Sequence, residues 1–155
     1  MLEAGPGSPR PLLALQARCL QPGRYALHLE RWLVHYKPSS LTILDGEQLK
    51  KDPATVMNKL QHQFQLSPFV DYTNLLVFDK AKGFYCMLVQ GRRKCLGRGK
   101  GRKYPAMDEW SRAWLRSHYS KHNVALEKLL TRLGFTAPSW LTEELAEEDV
   151  GGTHV

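Results

Sequence analysis

The chain has 155 residues, 43% of them hydrophobic and 24% charged, the balance of an ordinary globular protein with room for one sizeable core. That excludes collagen-like, wholly disordered and disulfide-packed mini-protein classes, and no apolar run approaches the roughly 18–20 residues of a membrane span. The net charge of +7 is concentrated: residues 80–104 hold nine Lys or Arg and no acid, while the remainder nets −2. So local a basic block points to an anionic partner, whether nucleic acid, nucleotide phosphate or acidic glycan.

Residues 1–11 carry three Pro and two Gly and read as a disordered lead. They lack the basic start and apolar centre of a signal peptide, so any targeting segment is expected outside this chain. Leu12–Leu20 reads as helical turns broken by Pro22-Gly23. Tyr25, Leu29, Trp32, Leu33 and Tyr36 then form an amphipathic stripe that Lys37-Pro38 ends. Leu41-Thr-Ile-Leu44 is a short apolar run before Asp45-Gly46, expected to be a buried strand of a parallel sheet. Asp52-Pro53 is an N-cap followed by proline at the first helical position, with Val56, Met57, Leu60 and Phe64 on one face. Leu75–Phe78 and Gly83–Cys86 flank Asp79-Lys-Ala-Lys82, the pattern of a hairpin.

Asp108 is placed to cap a long helix carrying Trp110 and Trp114, then Leu126, Leu129, Leu130 and Leu133, with Gly134 as its C-terminal cap. Trp32, Trp110 and Trp114 are expected in the core. Pro138-Ser-Trp-Leu141 starts a last short helix, and the acidic stretch Glu143–Asp149 reads as a solvated or frayed end. The whole is helix-rich α/β with few strands.

The chemistry concentrates in Cys86–Pro105. Gly97, Gly99 and Gly101 alternate with cations, a composition that lets backbone N–H groups and Lys or Arg heads reach one phosphate together. Tyr85 and Tyr104 flank the run and could stack on a purine; a plain flexible basic loop fits the same composition. Neither the Walker nor the dinucleotide glycine pattern is present. Cys86 and Cys95 do not form a CxxC pair, so no metal site is expected. His118 and His122 share a helix face but lack a third ligand and read as surface or satisfied histidines.

Gly83-Phe-Tyr-Cys86 followed by Cys95-Leu-Gly97-x-x-Lys100-Gly101-Arg102-Lys103-Tyr104-Pro105 resembles the signature of heparan sulfate sulfotransferases, in particular the sulfotransferase domain of the N-deacetylase/N-sulfotransferases. Leu15–Gly23, Tyr25–Leu33, Asp45-Gly46, Asp79–Phe84, His122–Leu130 and Pro138–Leu141 extend the similarity over about residues 12–145, followed by a disordered tail at 146–155. The resemblance implies the C-terminal portion of a P-loop-like sulfotransferase fold, a parallel sheet flanked by helices. It implies transfer of a sulfuryl group from 3′-phosphoadenosine 5′-phosphosulfate to the glucosamine amine of heparan sulfate, with no metal.

By the same resemblance Tyr85, Lys100, Gly101, Arg102, Lys103 and Tyr104 bind the donor nucleotide. Arg92, Arg93, Lys94 and Arg98 suit the anionic glycan, a heparan sulfate or N-deacetylated heparosan chain. Cys86 and Cys95 pair as a disulfide in an oxidising Golgi lumen, with a membrane anchor outside this chain, and Cys19 stays a buried thiol. The family usually has Trp where Tyr85 stands and Ser where Gly99 stands. No lysine precedes Lys37, so the lysine-bearing loop that holds the 5′-phosphosulfate is expected in an N-terminal half of the domain beyond these residues, and no catalytic residue is assigned. Two other readings stand beside this one: a non-catalytic module for heparan sulfate or nucleotide, and a nucleic-acid-binding protein using residues 80–104.

Overall fold

The computed structural model describes residues 10–67, 69–97 and 104–151. Seven helices and three strands occur among them: α1 (Arg10–Leu20), α2 (Tyr25–Leu33), α3 (Gly46–Lys51), α4 (Pro53–Gln63), α5 (Tyr72–Leu75), β1 (Leu76–Asp79), β2 (Phe84–Val89), β3 (Arg92–Lys94), α6 (Glu109–Leu133) and α7 (Ser139–Gly151). They divide into two units: Met1–Ile43 with Asp108–Ala137 and Leu141–Val155, and Leu44–Met107 with Pro138–Trp140.

The first unit is helical and built on α6. The Asp108 carboxylate accepts from Ser111 N at 2.9 Å, satisfying one of the donors left free at a helix start. Gly134 ends the helix at φ 75°, and Phe135 N–H donates to Leu130 O at 2.9 Å, a left-handed closure that glycine adopts without strain. Leu126, Leu129 and Leu130 follow the i, i+3, i+4 spacing and are buried with Ala26 of α2 and Leu141 of α7. Each such leucine contributes about 1.5–3 kcal/mol by leaving water. Arg116 on α6 holds Glu144 at 3.0 Å and also pairs with Glu147, so two acids of the expected frayed end are held on α7.

The second unit begins with a succession of aspartate caps. Asp45 accepts from Glu47 N at 2.8 Å, Asp52 from Thr55 N at 3.1 Å and Asp71 from Thr73 N at 3.0 Å. Gln61, buried on α4, donates to Val70 O and accepts from Val70 N at 2.8 Å, while Asn58 Oδ1 accepts from Tyr72 N at 3.3 Å. These two amides fix the return of the chain toward the sheet. The sheet runs β1-β2-β3, both pairs antiparallel, with Leu76 opposite Met87, Asp79 opposite Phe84 and Val89 opposite Arg92.

Several expectations change. The described sheet is antiparallel, and Leu41–Leu44 forms no strand. A parallel strand exists only beside a neighbour of the same sense, and the described sheet pairs β2 with its two sequence neighbours. Trp32 of α2 and Trp110 of α6 are 57% and 69% exposed, since α2 buries Ala26 and α6 buries its C-terminal leucine run instead; Trp114 is half-buried. Cys19 is exposed, as is Leu15 one turn earlier on α1. Helix α1 starts at Arg10, inside the expected lead, and α7 continues past the expected boundary at 145/146 to Gly151.

Gly23 sits where the turn after α1 meets α6: a β-carbon there would lie 2.6 Å from the Tyr119 ring. That ring cannot swing away freely, since its hydroxyl donates to Leu20 O at 2.8 Å. Gly23→Ala is expected to destabilise the chain by about 1–3 kcal/mol through overpacking. Gly46→Ala, where a β-carbon meets nothing within 4 Å, is expected to stay within about 0.5 kcal/mol. Urea unfolding of both variants checks the pair.

Candidate functional site: the disulfide-closed hairpin

The hairpin leading into the basic segment is built around Asp79. This residue ends β1 with only 9% exposure. Its Oδ1 accepts from Ala81 N at 3.0 Å and Lys82 N at 3.1 Å, closing the turn into β2, and Gly83 completes that turn at φ 74°. Its Oδ2 receives Arg93 of β3 at 3.3 Å. The backbone N–H groups, chiefly that of Lys82, and then Arg93 hold the Asp79 carboxyl below its ordinary 3.8 despite the opposing effect of burial.

Cys86 and Cys95 are bonded, with Cα atoms 4.5 Å apart and a sequence separation of 9. Cys86 is 2% exposed, so the bridge is anchored in the unit's interior and its far end leads directly into the basic segment. Asp79 Oδ2 lies 4.0 Å from Cys95 Sγ. The ligand atoms of Asp79, Cys86 and Cys95 all fall within 4.8 Å of one another, but the sulfurs are bonded to each other, and a metal takes a thiolate.

Tyr85 lies on β2 beside Phe78 of β1, rings 5.2 Å apart edge to face. Its hydroxyl donates to Lys51 O at 3.0 Å, satisfying a carbonyl at the C-terminus of α3. Tyr85 is therefore a half-buried ring fixed at both ends, with Phe78 47% exposed next to it. Tyr104 is 78% exposed. Lys100, Gly101, Arg102 and Lys103, like Arg98, lie outside the described residues. Arg92, Arg93 and Lys94 form the exposed strand β3, with Arg93 engaged by Asp79 and Lys94 opposite Met87.

Sequence reasoning assigned Asp79 to a turn and missed its reach across the sheet to Arg93. The Asp-x-x-Lys-Gly spacing signals the turn, whereas the ion pair depends on the β2–β3 register. It also read His118 and His122 as surface or satisfied. Both are half-buried, and their Nε2 atoms are buried without a hydrogen-bond partner among the described residues.

A hairpin of two antiparallel strands, stapled by a disulfide and running into alternating glycines and cations, is a frame for presenting charge to an anion. The chain belongs to the sulfotransferase domain family, whose family model matches residues 11–129. In sequence it is similar to the bifunctional heparan sulfate N-deacetylase/N-sulfotransferase 3 of Homo sapiens, 53% identical over 146 residues covering 94% of this chain and 17% of that protein. The bifunctional heparan sulfate N-deacetylase/N-sulfotransferase of Drosophila melanogaster is 49% identical over 148 residues, covering 94% of this chain and 14% of its own length. The bifunctional heparan sulfate N-deacetylase/N-sulfotransferase 2 of Homo sapiens is 46% identical over 152 residues, covering 97% and 17%. The chain thus spans about a sixth of the length of the curated relatives it matches.

Two outcomes test the hairpin. Replacing both Cys86 and Cys95 by Ser is expected to cost about 2–3 kcal/mol, the loop-closure entropy of a ring of about ten residues, read from urea unfolding under non-reducing conditions. The lowered Asp79 carboxyl contributes stability that is fully present above the ordinary value of 3.8 and is lost as pH falls through the lower folded value. Asp79→Asn keeps an acceptor for the turn and removes the charge, so its acid unfolding profile should be flatter than the parent's.

Proposed function

We propose that this chain is the donor-gripping part of a heparan sulfate N-sulfotransferase. In this reading the full enzyme moves the sulfuryl group of 3′-phosphoadenosine 5′-phosphosulfate to the amine of glucosamine. The observation that carries it is the high identity to named N-deacetylase/N-sulfotransferases along nearly the whole chain, joined to a disulfide-closed hairpin that the cation-rich segment follows in sequence. Lys100, Arg102 and Lys103 supply charge to the 3′-phosphate, and Gly101 lets the backbone come close. Arg can bind two oxygens with its fork and Lys adds a point charge. Tyr85 and Tyr104 offer aromatic faces for the adenine. Arg92 and Lys94 on exposed β3, with Arg98 after the bridge, suit the anionic glycan. The disulfide fits an oxidising compartment, and the Golgi lumen is the location this reading takes.

Sulfuryl transfer gains most of its acceleration from positioning and from neutralising charge at the moving group. The residues named here grip the nucleotide end of the donor, while the group that holds the 5′-phosphosulfate belongs to other parts of the domain. The 155-residue polypeptide by itself is therefore expected to bind adenosine 3′,5′-bisphosphate without turning over N-deacetylated heparosan. Arg102→Ala should weaken nucleotide binding by about 1.5–3 kcal/mol, the range for hydrogen bonds to a charged group, with heparin affinity changed far less. Calorimetric titration of the parent chain and this variant checks it. Nucleotide affinity unchanged in Arg102→Ala overturns the assignment, and equal affinity for any nucleic acid duplex with a steep salt slope would favour nucleic-acid binding instead.

A further inference from the structure

The unit built on α6 holds a second group of cations and rings that the reading above does not use. Gly23 closes the turn after α1 against the Tyr119 ring, and Arg24 follows it directly at the start of α2. His118 and His122 stand one turn apart on α6, ring centroids 6.0 Å apart. The His118 ring stacks on Trp114 at 5.1 Å and meets the Tyr119 edge at 4.9 Å, so its orientation is fixed from two sides. Tyr119 is itself anchored to Leu20 O. The cluster joins α6 to the turn that leads into α2, and these two helices pack on each other.

Three side-chain nitrogens in this cluster are buried and lack a hydrogen-bond partner among the described residues: Arg24 Nε, His118 Nε2 and His122 Nε2. Buried polar groups in folded proteins are almost always paired, because leaving one unpaired costs more than a made hydrogen bond contributes. A metal ion does not suit them. Only two ligating rings are present, the Arg24 cation repels a second cation, and the sole set of three possible ligands among the described residues is the Asp79, Cys86 and Cys95 group. Of the carboxylates in the same unit, Glu144 and Glu147 are ion-paired with Arg116, and Glu127 accepts from the Thr131 hydroxyl.

We infer that Arg24, His118 and His122 form a binding site for a tetrahedral oxyanion, a sulfate or phosphate group. Each ring nitrogen donates when protonated, and the guanidinium donates at all pH values. The site lies in a different unit from the hairpin and rests on no part of the sulfuryl-transfer reading.

The electrostatics add a consequence. Burial, then the Arg24 charge and then Lys121, push both imidazoles below their ordinary 6.5. The other titratable neighbours are Tyr119, whose hydroxyl is pushed up by burial, and Tyr25 beside it; His28 of α2 is engaged with Gln21 O at 3.0 Å. An oxyanion reverses the local field and favours both imidazolium forms, so binding takes up protons. Affinity is expected to rise by up to about tenfold per pH unit for each ring that takes up a proton.

The test is a titration of the 155-residue chain with inorganic sulfate, inorganic phosphate and a sulfated oligosaccharide, each against chloride at matched ionic strength. The readout is the imidazole nitrogen resonances of His118 and His122 over the weakly acidic to neutral range. Saturable shifts of both rings with sulfate or phosphate, stronger at lower pH, are expected. A response confined to the oligosaccharide would assign the anion to a glycan-borne sulfate. Arg24→Gln should weaken sulfate at least tenfold, and His122→Gln should weaken the His118 response severalfold if the first variant folds poorly. Lys121→Gln, exposed on α6, should leave both rings responsive. Shifts no larger than those with chloride, or unchanged sulfate affinity in the folded variants, overturn the proposal.

Discussion

The arrangement of the hairpin depends on one carboxylate. Asp79 ends β1, accepts two backbone N–H groups of the turn that follows, and holds Arg93 of β3 two strands away. A single side chain therefore sets where β2 starts and how β3 lies on it. The reason is geometric: a carboxylate has two oxygens, and here one serves the turn and the other the guanidinium. The disulfide from Cys86 to Cys95 ties β2 covalently to the residue that follows β3, from a nearly fully buried end. Without both, β3 is a three-residue exposed edge strand with like charges side by side, which ladder hydrogen bonds alone hold weakly.

That economy of construction bears on function. The stretch from 80 to 104 has no acid of its own, and among the described residues Asp79 pairs with Arg93. Tyr85 is held at both its ring and its hydroxyl, so its aromatic face is fixed on the hairpin. The helical unit uses charge differently, taking up Glu144 and Glu147 with Arg116 while burying Arg24 Nε and the Nε2 atoms of His118 and His122 without a partner among the described residues.

Local signals were the most readable. Asp52, Asp108 and Gly134 act at helix ends as their residue types require, because a cap is decided within three or four residues of chain. The β1–β2 hairpin was legible for the same reason, its turn being written in Asp79 through Gly83. The strand expected at Leu41–Leu44 was not, since an apolar run specifies burial and leaves open what it pairs with. The exposed Trp32 and Trp110 teach a related lesson: helical spacing tells which residues share a face, while the packing partner decides whether that face is covered.

By itself the sequence determined the family, the helix ends, the hairpin and the position of the cationic segment, because each rests on residue identity at fixed short spacing. The tertiary structure alone decided that the described sheet is antiparallel, that Asp79 reaches Arg93, that Tyr85 is tied to the end of α3, and that the Leu20–Gly23 turn meets Tyr119 across more than ninety residues of chain. Those are pairings between segments distant in sequence. Their geometry follows from strand register and helix packing, which no single segment encodes.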